Sequence, residues 1–316
     1  MQQKNNSQLP AIGLIIGCII FGLGSLIVAH VEVGGYAMAF WRLLISGIVF
    51  SVLAKVFSQK MPSQNENSKS NTAYGYALLS GAFLGFDLAL WHESIYAVGP
   101  GISTLLNSLQ IFFLAALGFI IFKERQTILQ LISLVIALVG VVLIASPEFA
   151  NNTHAAYGFI TGIVSASMLA AAMTFIRLTH QALPTSIFLL MQRISLGGSL
   201  AMLIPMLLFD QGQIWPNSLS EWGWIMVYGT VMQCLAWGLI AYSIPNLSLA
   251  LTGLLLLTEP VAALFIDYFW LEKPINFLQW SGAGLTMLAI YLGSIKPKSY
   301  NQLRRYRFFS RFYRRR

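Results

Sequence analysis

The chain has 316 residues, 57% of them apolar and only 9% charged, with a formal net charge of +8. Soluble domains are nearer a quarter charged, so this composition excludes a soluble enzyme, a disordered scaffold and a disulfide-stapled secreted domain. The two cysteines, Cys18 and Cys234, both fall inside apolar runs, leaving neither a disulfide framework nor a metal cluster.

A membrane-spanning helix needs about 20 consecutive apolar residues. In chain order, ten such runs lie near 10–29, 36–57, 73–96, 101–122, 127–145, 155–180, 184–209, 222–243, 248–270 and 277–295. Each predicts a helix, because an open strand edge is not tolerated in lipid. The first run is too long, and too poor in flanking positive charge, for a cleaved signal peptide, so it reads as a span. The loops are short except for 58–72 and 210–221, and no appended soluble domain is expected. Spans 5 and 10 contain no charged residue, which suits a peripheral supporting position.

Lysine and arginine set the orientation. With the N-terminus inside, 16 of the 19 basic residues collect on the cytoplasmic side, nine of them from Lys296 onward. Lys273 alone falls outside, and Arg42 and Arg193 lie within spans. Seven of the eight tryptophans (Trp41, Trp91, Trp215, Trp222, Trp224, Trp270 and Trp280) then sit toward the outer face, as an interfacial belt would. The tail 296–316 alternates Arg304, Arg305, Arg307, Arg311 and Arg314 with Phe308, Phe309 and Phe312. It reads either as lying on anionic lipid headgroups or as a solvated topology signal. Nucleic acid is not an expected partner.

The two halves, 10–146 and 155–295, resemble each other at an offset of 148 residues. FKERQ at 122–126 matches WLEKP at 270–274, placing Glu124 opposite Glu272. Gly81 falls opposite Gly229, and with a loop adjustment Arg42 falls opposite Arg193 and Gly47 opposite Gly198. The first helix of each half carries GxxxG, Gly13/Gly17 and Gly158/Gly162, which lets helix backbones approach closely. Five spans per half is an odd number, so the second copy enters from the opposite side. The expected fold is an all-α membrane protein of ten transmembrane helices arranged as two inverted five-helix repeats, a recurrent construction in secondary transporters.

The half-signatures 101–146 (GISTLLNSLQIFF…ALVGVVLIAS) and 249–294 (LALTGLLLLTEPV…GAGLTMLAIYLGS), with AFWRLLISG at 39–47 and DLALWHESI at 87–95, resemble the EamA type of the drug/metabolite transporter superfamily. The resemblance covers nearly the whole chain. It implies ten helices, cytoplasmic termini, a central cavity and export of small metabolites such as amino acids. In one respect the chain departs from the family. The proline usual in the fourth helix is replaced by Gln110-Ile111-Phe112, and only the second half keeps it, as Pro260, which predicts an asymmetric hinge.

An ionisable group at the bilayer centre is costly and must face a cavity or a partner. The candidates are Arg42, Asp87, His92, Glu93, Arg193, Glu259 and Asp267. Depths counted at about 1.5 Å per residue make Arg42–Asp87 and Arg193–Glu259 expected pseudo-symmetric pairs. Such pairs either lock helices together, or let an arginine receive a substrate carboxylate while the acid takes a proton. Trp91 and Ser94 share a helical face with Asp87, whereas His92 and Glu93 point away, toward the interface. Ser103, Asn107 and Gln110 form a polar stripe on span 4, serving as interhelical glue or as cavity lining. Gln233 and Trp237 share a face of span 8; Trp237 stacks on a substrate or packs in the core. Pro260 beside Glu259 predicts a bend in span 9, and Asp87, Glu259 and Pro260 are the candidate coupling and hinge residues.

No HExxH, GxSxG or Walker sequence occurs, so no catalytic residues, metal or cofactor are assigned. The reading is a secondary transporter of the inner or plasma membrane that exports small metabolites by alternating access, driven by protons or the membrane potential. An intramembrane enzyme or a channel using the same polar cavity is the alternative. The partners expected are a small-molecule substrate and membrane lipid, and the sequence leaves a homodimer open.

Overall fold

A computed structural model describes residues 8–28, 31–57, 67–98, 100–145, 155–269 and 275–294. The basic tail, the 58–66 loop, Glu272 and Lys273 lie outside the described residues, as does the side chain of Asp267. Helix accounts for nearly all the described backbone. Five helices are long and apolar enough to cross a membrane unbroken or nearly so: 35–57, 70–98, 156–182, 187–209 and 219–246. The other five expected spans are shorter or interrupted.

In chain order the helices are α1 (Gln8–Gly22), α2 (Gly24–Val28), α3 (Gly35–Phe57), α4 (Asn67–Val98), α5 (Pro100–Ser108), α6 (Gln110–Phe122) and α7 (Ile128–Ala145) in the first half. The second half contains α8 (Ala155–Ala182), α9 (Ile187–Phe209), α10 (Leu219–Val227), a π-helical segment Tyr228–Ala236, α11 (Trp237–Ser243), α12 (Leu249–Leu256), α13 (Thr258–Phe269) and α14 (Phe277–Ser294). Serine hydroxyls start three of these helices. Ser186, Ser218 and Ser248 accept bonds from the backbone N–H groups of Leu189, Glu221 and Leu251, groups that a helix start would otherwise leave unpaired.

Spans 4 and 9 are both broken, at Leu109 and at Leu257, which are 148 residues apart. The asymmetric hinge expected from the missing proline is therefore corrected. In span 9, Pro260 has no N–H to offer one turn back, and the chain tightens to Leu257 N–H on Leu254 O at 3.2 Å. In span 4 the Ser108 hydroxyl back-bonds to Thr104 O at 2.7 Å, a contact that bends helices without proline. Leu109 N–H then turns to Leu106 O at 3.1 Å. Span 1 breaks at Leu23, between Gly22 and Gly24, and span 8 widens into the π segment.

The halves interlock by exchange. α4 packs along α8 as α1 packs along α11, and α4 meets α9 as α3 meets the π segment. α3 with α9, α6 with α12 and α7 with α14 face each other as equivalents. These equivalents run antiparallel, as inversion requires. Ala37 N–H at the start of α3 reaches Asp210 Oδ2 beyond the end of α9 (2.6 Å), while Phe57 at the end of α3 meets Phe188 at the start of α9. The GxxxG glycines sit at such contacts: Gly17 lies under Ala236 O, and Gly158 under Val98.

Gly81 on α4 is the tightest of these approaches; a Cβ there would lie 2.0 Å from Ile194 O on α9. Its repeat partner Gly229 meets Ile45 and the Arg42 carbonyl on α3 in the same way. Overpacking of this kind costs about 1–3 kcal/mol. Gly81→Ala is therefore expected to lower the melting temperature of purified protein by several degrees, whereas Gly75→Ala, which meets nothing within 4 Å, leaves it unchanged.

Candidate functional site

The helix breaks converge on one small cavity between the halves. Phe21 reaches it from the end of α1, Gln110 from the start of α6 and Glu259 from the first turn of α13. Asp87 and Trp91 come from α4 and Trp237 from the start of α11. Asn107 of α5 also lines it, and the rest of the wall is apolar and includes Leu169 and Met173 of α8.

Asp87 is buried and held. Its Oδ1 accepts from Ser165 Oγ at 2.7 Å and from Asn107 Nδ2 at 3.2 Å, and the Asn107 amide also donates to Ser165 Oγ at 2.9 Å. Small residues at the α4–α8 contact bring Ser165 close enough for this. The stripe on span 4 thus divides its work. Ser103 Oγ donates to Trp91 O as interhelical glue, Asn107 both positions Asp87 and lines the cavity, and Gln110 lines the cavity with its amide oxygen unpartnered.

The expected ion pairs do not form. Arg42 is fully buried, yet lies behind the cavity wall rather than on it. Its Nε donates to Gln233 Oε1 at 2.7 Å, and the guanidinium carbon sits 4.3 Å from the Tyr228 ring centroid and 4.9 Å from that of Phe21. Desolvated cation–π contacts of this kind contribute about 2 kcal/mol. Both terminal amino groups of Arg42, and the Gln233 amide nitrogen, have no hydrogen-bond partner. Asp87 is already satisfied by Ser165 and Asn107, and Phe21 covers the guanidinium, so Arg42 acts on Asp87 and Glu259 through space only. Arg193 is half-buried near the start of α9 and lies over the Tyr74 ring at 5.0 Å, away from Glu259 and outside the cavity lining.

Two further expectations are corrected. Ser94 faces α8, where its hydroxyl donates to Gly158 O at 2.9 Å, and does not line the cavity. His92 is not interfacial: it is fully buried, with one ring nitrogen 3.1 Å from Gly35 O and the other 3.1 Å from Tyr228 Oη. The helical angle placed it away from Asp87 correctly, but that side faces α3 and the π segment rather than lipid. Glu93 accepts from Tyr157 Oη at 3.0 Å. The residues missed in the sequence are Phe21, Tyr228 and Ser165. Phe21 alone carried a signal, the Gly22-Leu23-Gly24 sequence that follows it.

Carboxylates join the halves at both ends of the bundle. At one end Asp210 accepts the Ala37 N–H, and Trp41 Nε1 donates to Ile214 O at 2.8 Å beside Trp215 and Trp222. At the other, Glu124 pairs with Arg177 and accepts the Leu249 N–H at 3.1 Å, capping α12 from the opposite half. The Arg177 guanidinium also lies over Phe122 at 4.3 Å.

A helical bundle of two interlocked repeats around a charged interior cavity defines a multi-pass membrane protein of the transporter class. The EamA-like transporter family model matches the chain twice, over residues 8–146 and 156–295, and the chain belongs to that family. An uncharacterized transporter of Archaeoglobus fulgidus is 25% identical over 286 residues, covering 81% of this chain and 95% of its own. Uncharacterized transporters of Bacillus subtilis (YetK) and Synechocystis sp. are 22% and 23% identical, over 92% and 96% of this chain and 86% and 96% of theirs. A solved crystal structure shares the fold with a TM-score of 0.73 at 13% identity, covering 92% of this chain and 98% of that one.

Because Arg193 and Glu259 are apart, the charge swap Arg193→Glu with Glu259→Arg is expected to yield no more monodisperse protein than the worse single variant. Recovery above both singles would restore the pairing. Glu124→Ala removes a helix cap and strands Arg177, and is expected to cost about 2–3 kcal/mol in thermal unfolding of the purified protein.

Proposed function

We propose that the protein is a secondary transporter of the plasma (inner) membrane, with both termini cytoplasmic, that exports small metabolites such as amino acids or related compounds by alternating access. One observation carries the reading. Two carboxylates, the buried Asp87 and the half-buried Glu259, one from each half, share a cavity where the spans of both halves are interrupted. Charges in such a place are expensive unless they serve a solute path. Broken helices around a midplane site supply the flexible backbone that alternating access needs.

Asp87 and Glu259 are the coupling residues of this proposal, with protons or the membrane potential as the driving force. The Glu124–Arg177 end faces the cytoplasm in this orientation, and the Trp41–Trp215–Trp222 end faces outward, as a tryptophan belt favours.

Comparative metabolite profiling of the medium from cells lacking and overproducing the protein is expected to show at least one amino compound rising with expression. An unchanged medium argues against export. Collapsing the proton gradient with a protonophore is expected to stop that efflux, and efflux that continues removes proton coupling. Asp87→Asn and Glu259→Gln are each expected to lower efflux at least about tenfold, the scale of one lost charge-assisted contact, with membrane levels of the protein unchanged.

A further inference from the structure

The cavity wall is unbalanced in charge, and that imbalance specifies a ligand. Among the described residues, the charged groups lining the cavity are Asp87 and Glu259, both acids. The nearest cation acting on them, Arg42, is behind the wall and covered by Phe21. Two carboxylates and one guanidinium leave one negative charge in a desolvated space. A buried charge without a counter-charge is unfavourable, so the site is completed by one positive charge, either a proton on one of the acids or a bound cation.

An independent feature points the same way. Gln110 is 3% exposed, lines this cavity and presents an amide oxygen that accepts no hydrogen bond. A buried acceptor without a donor costs about 1–3 kcal/mol until something donates to it. The same lining carries three aromatic rings, with Phe21 at centroid distances of 6.2 Å from Trp91 and 6.4 Å from Trp237. Rings of this kind accept the face of an organic cation and its apolar body. The one orphan donor on the lining, Trp237 Nε1, is neutral and calls for no more than an uncharged acceptor.

We propose that the cavity recognises a protonated primary amine, with Asp87, Glu259 and the Gln110 oxygen as its acceptors and Phe21, Trp91 and Trp237 around its apolar body, and that a substrate carboxylate is not required. Asn107 and Ser165 are positioning residues that fix the Asp87 carboxylate. Arg42 is a counter-charge that keeps two acids within one site, rather than a carboxylate receptor. This assignment rests on the cavity being the substrate site of the transporter proposed above, and it names the functional group that site reads.

Two probes of one shape and opposite charge separate the alternatives: 2-phenylethylamine and 3-phenylpropionate. Binding of each, in radiolabelled form, is measured to purified full-length protein in lipid nanodiscs. The amine is expected to bind and the acid not. Glu259→Gln and Asp87→Asn, checked for monodispersity, are each expected to weaken the amine at least about tenfold, and Gln110→Ala about fivefold, as loss of charged and neutral acceptors respectively implies. Binding of the acid as tightly as the amine overturns the assignment. So does binding of neither probe, or amine binding that the carboxamide variants retain. Efflux from loaded proteoliposomes separates this from the transport reading. Amine that binds through Asp87 and Glu259 but never leaves the vesicles sinks transport and spares the site, while efflux of the acid alone does the reverse.

Discussion

Hydrocarbon offers no hydrogen bonds, and almost everything in this molecule follows from that. Each backbone N–H and C=O must find its partner within the bundle, which enforces helix. Each charge must turn inward, which builds a site. Arg42, Asp87, His92 and Glu259 are therefore gathered between the halves, while the faces of α7 and α9 that look outward carry residues such as Ile128, Val135, Leu200 and Ile204. The polar interior satisfies itself only in part. Asp87 has its serine and asparagine, whereas Arg42 rests on aromatic faces with two amino groups unbonded.

Exchange packing explains why the site lies where it does. The main contacts between the halves are repeated with the roles reversed, so the two copies share one interior rather than enclosing two. Glycines permit the closest of these approaches, with Gly81 set against α9 and Gly229 against α3. The interruptions at Leu109 and Leu257 occupy equivalent positions and bring a helix start from each half to the same place. The acids are not equivalent: Asp87 sits on the third span of its half and Glu259 on the fourth. The backbone is thus nearly symmetric while the chemistry it holds is not.

Span number, the repeat and the family were legible because they rest on composition and periodicity, which lipid enforces residue by residue. The cavity membership of Asp87, Trp91, Gln110, Trp237 and Glu259 followed from depth and helical phase. The pairings did not, because depth along a helix says nothing about which neighbour stands beside it. Arg42 and Asp87 had matching depths, yet Ser165 and Phe21, from spans with no polar pattern, took the contacts. His92 failed for a related reason: the helical wheel gives its direction but not whether lipid or another helix lies there. The bend in span 4 was missed because a serine back-bond leaves a weaker mark in sequence than a proline.

Glu124 and Asp210 sit at opposite ends, and each belongs to one half while terminating a helix of the other. Neither end can part without stripping a helix terminus of its anion, which exposes backbone N–H groups to whatever enters. Water can replace the lost carboxylate at a rim, but not deeper in the bundle. Separation is therefore cheapest from the rims inward, and at each rim a carboxylate is among the bonds that must break first.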